Sequence, residues 1–170
     1  MAGDFVFKIG DKVVYGQTGV CVITDICEKE FIRNKKNKYY VLSPLTLSNN
    51  VIYAPVEDSK VFMRHIITKE QADDLINSIP EIVENMEKTL ESDKDGYREE
   101  INNHTLSGLV EITTHIYAKK KECSALKKRL NAVDEKYMKI AENLLLGELS
   151  EVLEIPFEEV PKYIAKKIDK

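Results

Sequence analysis

The chain has 170 residues, room for one ordinary domain or two small ones, and its 43% hydrophobic content with only 7 Gly and 5 Pro excludes a disordered or fibrous class. Its 25 Lys plus Arg against 29 Asp plus Glu give a net charge of −4, which excludes a globally basic nucleic-acid coat and leaves room only for a local basic patch. No run approaches the roughly 18 apolar residues of a membrane span, and Met1 to Asp11 lacks the basic and apolar regions of a signal peptide, so a cytoplasmic protein without a membrane partner is expected.

Up to about residue 65 the pattern alternates at period two or runs in short β-branched stretches. Val13-Val14-Tyr15, Val20 to Ile26, Tyr39 to Leu42 and Val51 to Ala54 read as strands. Turn material separates them at Gly16-Gln17-Thr18-Gly19, Asn34 to Asn37 and Ser48-Asn49-Asn50. About five short strands without intervening helices predict a small antiparallel barrel, with Phe7, Val14, Val22 and Val41 in its core and Gly10 and Gly19 in turns that need open backbone angles.

From Thr68 the apolar period becomes 3.6. Thr68 with Gln71, Ser78 with Pro80 and Glu81, and Asn131 with Asp134 read as helix starts, because each sets a side-chain acceptor over free amide groups. The spacing predicts helices over 69–77, 80–91, 95–106, 109–129, 132–153 and 157–167. The fold class is therefore α+β, a β-barrel over residues 1–66 followed by an all-α bundle over 67–170.

Neither half shows the marks of an enzyme. No GxxxxGK[ST], GxSxG, HExxH or CxxC occurs, and His65, His104 and His115 follow no zinc spacing, so no catalytic residue, metal or cofactor is expected. Cys21 and Cys27 lie about 20 Å apart along one strand and can share neither a disulfide nor a metal there. Cys21 and Cys123 read as buried thiols in a reducing compartment.

Charge divides at the same boundary, +2 for residues 1–66 and −6 for 67–170. Against that acidic background, residues 118–130 hold six cations and one anion. Ile112, Ile116, Cys123, Leu126 and Leu130 follow a heptad rule along the same predicted helix, with Lys119 as its polar break. That places Lys120 over Lys127 and Lys121 over Lys128, away from the apolar seam. Such a stripe is either a solvated face or a contact for the phosphate backbone.

Phe7-Lys8-Ile9-Gly10-Asp11-Lys12-Val13-Val14-Tyr15, then Gly19 and Ile23, Tyr39-Tyr40-Val41-Leu42, and Pro55 with Glu57 together resemble the RNA-polymerase-interacting domain of the bacterial CarD/CdnL family, a module also found in the transcription-repair coupling factor. Leu144-Leu145-Leu146-Gly147-Glu148-Leu149 resembles that family's last long helix, so the resemblance extends over nearly the whole chain. It implies a Tudor-like or SH3-like barrel that grips the β-subunit lobe of RNA polymerase by strand pairing, and a helical domain set against promoter DNA at the upstream edge of the bubble. By position against the family, the polymerase contacts fall on Lys29, Glu30, Phe31, Ile32 and Arg33 of one hairpin and on Val51, Ile52 and Tyr53. Tyr53 stands where relatives often carry Arg. For Phe31 and Tyr53 the alternative is that each closes a barrel end.

The helical half departs from the family. Relatives wedge a Trp into a minor-groove step about four residues before a Tyr; here the Tyr is Tyr97, the Trp position is Asp93, and the chain contains no Trp. Lys94 and Arg98 flank that position as phosphate contacts or as partners of Asp95, Glu99 and Glu100, and Tyr97 reads either as a substitute stacking group or as core. The resemblance thus implies weak, non-sequence-specific DNA contact through Asp93, Lys94, Tyr97 and Arg98, and the basic stripe adds Lys120, Lys121, Lys127 and Lys128. On the competing reading the helical domain binds a protein such as a sigma factor.

Overall fold

The computed structural model describes residues 6–47, 49–86 and 94–169, and the chain divides into two compact units, Met1–Ile66 and Ile67–Lys170. The first unit is an antiparallel sheet of β1 (Lys12–Tyr15), β2 (Gly19–Ile32), β3 (Lys35–Pro44), β4 (Ile52–Pro55) and β5 (Met63–His65), in the order β4-β3-β2-β1-β5. The expected ring does not close through strand pairing: β4 and β5 remain as edges, with four and three residues respectively. Gly16 and Gly19, at φ 48° and 91°, bracket the tight turn from β1 to β2, where the Thr18 amide donates to the Tyr15 carbonyl at 3.0 Å.

β2 runs farther than its alternation suggested. Its ladder with β3 passes Lys29↔Asn37 and ends at Ile32↔Lys35, so the turn lies at Arg33-Asn34 rather than across residues 34–37. Asn34 takes φ 64°, which Asn tolerates, and its amide donates to the Glu30 carboxylate at 2.7 Å. The core beneath the sheet gathers Phe7, Val13, Cys21, Ile23, Tyr40, Leu42 and Ala54. Val22 and Val41, expected there, are only half-buried because side chains alternate across a strand: Cys21, Ile23, Tyr40 and Leu42 take the inner face.

The second unit is α1 (Lys69–Asn85), α2 (Lys94–Asn102), α3 (Leu106–Ala125), α4 (Ala132–Leu153), a 3₁₀ turn at Phe157–Glu159, and α5 (Val160–Ile168). Thr68 and Gln71 form a complete capping box on α1, while Thr105 and Asn131 accept the Gly108 and Asp134 amides. Gly108, outside the predicted helix over 109–129, lies inside α3, where a Cβ would come within 2.6 Å of Glu100 Oε1. The expected break at Ser78-Pro80 is absent. Pro80 removes one amide from α1, but Leu75, Ile76, Ile79 and Ile82 carry the apolar stripe across it, and their packing holds the helix together. The predicted continuation over residues 87–91 lies outside the described residues.

The core of this unit is built on Ile76, Tyr97, Ile112, Ile116, Ala141, Leu149 and Val160 with their neighbours. Among the described residues two carboxylates are buried in it. Glu148 accepts the Ile67 amide at 3.0 Å, anchoring the entry to α1 on α4. Asp134 accepts the Tyr97 hydroxyl at 2.7 Å and both the Lys119 ammonium and the Asn131 amide at 2.8 Å. Lys119, the polar break in the heptad pattern, is thus the counter-ion of a buried carboxylate. Among the described residues no helix is long and apolar enough to cross a membrane.

Candidate functional site

The chemistry-bearing candidates fall into two groups, one in each unit. In the first unit, β4 is an edge strand, so one row of its backbone donors and acceptors faces away from the sheet. Val51, just before it, is 58% exposed and Tyr53 39%, while Ile52 turns inward and packs on the core. Pro55 sits at the end of this edge, a position where a missing amide is tolerated.

The hairpin formed by β2 and β3 brings a second apolar element to the same place. Phe31, 59% exposed, lies 5.0 Å from the Tyr39 ring at 80° and 5.3 Å from the Tyr53 ring at 61°. Tyr39 is itself buried and meets Tyr53 at 6.5 Å and 90°. These edge-to-face contacts fix two exposed rings on a rigid base, so little side-chain freedom remains to be lost on binding. Ile32 is exposed beside them, and Lys29, Glu30 and Arg33 present their charges around the hairpin end. The family-derived set therefore converges spatially: Phe31 and Tyr53 touch, although they are far apart in sequence.

The helical group does not converge in the same way. Asp93 lies outside the described residues. Lys94 opens α2, and Arg98 on that helix is exposed. Tyr97 has to be withdrawn as a stacking group: it is fully buried and its hydroxyl is engaged by Asp134. No sequence signal linked two residues so far apart, and the buried role was one of two open readings.

The basic stripe also needs correction. α3 ends at Ala125, so Lys127 and Lys128 do not continue the helical rows of Lys120 and Lys121. The Lys127 amide donates to the Ser124 carbonyl at 3.0 Å and the Lys128 amide to the Cys123 carbonyl at 2.7 Å, with Lys127 at φ 55°. This is a Schellman termination with Lys in the left-handed position that Gly usually fills, which is why no sequence signal announced it. Leu126, read as part of the seam, is 67% exposed for the same reason. Lys120 and Lys128 nevertheless meet again around a cleft of about 550 Å³ between the end of α3 and α4, together with Arg129, Lys139, Glu135 and Glu142.

His115, on α3, places its Nε2 in the interior without a hydrogen-bond partner among the described residues. Burial, and then the Lys119 charge, push its pKa below the ordinary histidine value, and Asp134 opposes them. In the sheet, burial raises the Cys21 thiol to about 11. No group of three or more His, Cys, Asp or Glu side chains that could hold a metal ion occurs among the described residues.

An open antiparallel sheet with a short free edge, next to rigidly held exposed aromatics, has the geometry that accepts an added strand from another chain. Residues 7–67, most of the first unit, match the CarD-like/TRCF RID domain family of RNA-polymerase-interacting domains. The family is one of interaction domains and suggests RNA polymerase as the partner of this unit. The match ends where α1 begins, so the helical unit takes no support from it. No curated protein matches the chain.

Proposed function

We propose that the protein is a CarD-like transcription regulator that docks on the β-subunit lobe of RNA polymerase through β4 and the Phe31–Tyr53 patch, and modulates open-complex stability through its helical unit. The observation that carries the docking is the juxtaposition of a free strand edge at Val51–Tyr53 with the Phe31, Tyr39 and Tyr53 rings. A partner strand added there gains main-chain hydrogen bonds, and the aromatic anchors supply the apolar burial. Tyr53 would meet its partner by apolar and hydroxyl contact.

On this reading no chemistry is catalysed. A protein that contacts polymerase and promoter better in the open than in the closed complex shifts the population toward open. Docking raises the local concentration of the helical unit at the DNA, so weak phosphate contacts from Lys94, Arg98, Lys120, Lys121, Lys127 and Lys128 suffice. The site of action is then the cytoplasm, at the nucleoid. The helical unit's charge of −6 favours a second reading, an adaptor whose helices bind a protein such as a sigma factor.

The test is affinity of the full chain for RNA polymerase, wild type against Tyr53→Asp and Lys29→Glu. Each exposed change leaves the core intact, and loss of an anchor weakens binding by about 1–3 kcal/mol. Unchanged affinity in both variants rejects the docking surface. The lifetime of a promoter complex after competitor challenge, with and without the protein and at several salt concentrations, then separates the two readings. A salt-sensitive change in lifetime supports DNA contact, and a polymerase-bound protein without one supports the adaptor.

A further inference from the structure

With Tyr97 and Tyr137 in the core and Tyr163 half-buried, the exposed tyrosine among the described residues of the helical unit is Tyr117, 52% accessible on α3. The Lys121 ammonium, one turn on, stands 5.0 Å from its ring centroid. Lys120 and Ser124 follow Tyr117 at helical spacings of three and seven, which place them on the same side of α3. Both also line the cleft between α3 and α4, so Tyr117 stands on the side of α3 that borders the cleft, one turn before its lining begins. The cleft's half-buried lining is Cys123, Leu130 and Met138 with the Glu142 carboxylate, and its exposed charged groups are four cations, Lys120, Lys128, Arg129 and Lys139, against Glu135.

We propose that Tyr117 and this cleft form a binding site for an unpaired nucleic-acid strand, with the ring as a stacking platform and the four cations as phosphate contacts. The proposal rests on the DNA reading above and narrows it from duplex to single strand. A duplex hides its base faces in the stack and offers an exposed ring nothing to cover. A single strand offers both a free base face and a flexible phosphate chain that can follow a groove. The apolar lining suits the base or sugar edge, and Glu135 and Glu142 can accept from exocyclic amino groups. Bases of every type have a stacking face, so the site discriminates pairing state rather than sequence.

The experiment is fluorescence anisotropy of the full chain with a labelled 20-nucleotide single strand of mixed sequence and with the same sequence as a blunt duplex, at low and moderate salt. The single strand is expected to bind more tightly. Tyr117→Ala should weaken it by about five- to 150-fold with the duplex little changed, while Tyr117→Phe retains it. Lys120→Gln with Lys128→Gln should flatten the salt slope. Equal binding of the single strand by wild type and Tyr117→Ala, with duplex still bound in a salt-dependent way, overturns this inference and leaves the DNA reading standing. Binding of neither probe by the wild type overturns this inference, and the promoter-complex lifetime, in which docking raises the local concentration of the helical unit, then decides the DNA reading separately. Displacement of the strand by polyglutamate as readily as by poly(dT) assigns the cleft to an acidic protein segment and also overturns the proposal.

Discussion

Replacing Asp134 by Ala tests whether the buried polar hub holds the helical unit together. The carboxylate is 1% exposed and receives three donors, the Tyr97 hydroxyl, the Lys119 ammonium and the Asn131 amide. Removing one partner of a buried pair costs about 3–5 kcal/mol. The Lys119 side chain is 28% exposed and can recover part of its hydration, which moves the ion-pair share toward the lower end. The Tyr97 side chain is fully buried, so its hydroxyl loses the charge-assisted bond to Asp134 without gaining bulk water, which adds about 1–3 kcal/mol. Asn131 keeps its cap on the residue-134 amide, so α4 still starts in place. The sum is about 4–6 kcal/mol for a unit of roughly one hundred residues, a fall in Tm of upward of about 16 °C. The assay is thermal unfolding followed by far-UV circular dichroism, which reports mainly the helices. Tyr97→Phe alone should lose about 1 kcal/mol, and adding it to Asp134→Ala should recover stability, because it removes the buried hydroxyl whose bond to Asp134 was lost. A melting point for Asp134→Ala within about 4 °C of wild type, the shift of one kcal/mol, refutes the hub.

Lys127→Gly should raise the stability of the helical unit by roughly 1 kcal/mol, since glycine occupies φ 55° without the strain a side chain carries, and a lower Tm would contradict the termination described above. His115 has its folded pKa depressed by burial and by Lys119, so its contribution is present above the unfolded value near 6.5 and is lost as pH falls through the folded one. The Tm of His115→Gln should therefore drop less than that of wild type between pH 7.5 and pH 5.5; equal drops would exclude the histidine as the cause. Cys21, buried and raised to about 11, should resist a thiol reagent at pH 8 in the native protein, while Cys27 and Cys123 react, with the third equivalent released only on unfolding. Three equivalents without denaturant would contradict its burial.

Features written in local sequence were the readable ones. Thr68 with Gln71 and Asn131 with Asp134 cap helices as their spacing dictates, because a cap is completed within four residues. The glycines at 10 and 19 take the positive φ expected of them. What eluded the sequence was decided at a distance. Pro80 signals a break, yet the apolar stripe of α1 overrides it. Heptad extrapolation carried α3 past its true end, because Lys127 gives no hint of a left-handed residue. Tyr97 looked as much like a stacking group as a core residue until Asp134 supplied its partner. On the sheet side, the family positions placed Phe31 and Tyr53 in one set, and only the tertiary structure brings their rings into contact.

The brevity of β4 has a colloidal meaning. A free edge carrying apolar Val51 and Tyr53 could recruit a second copy of the chain as easily as a foreign strand, and unlimited self-recruitment is the route to fibrils. Four residues ending in Pro55, which has no amide to donate, make too short a template for that growth. An incoming strand must therefore bring further contacts of its own, and a partner shaped to cover Phe31 beside the edge can do so where another copy's edge strand alone cannot.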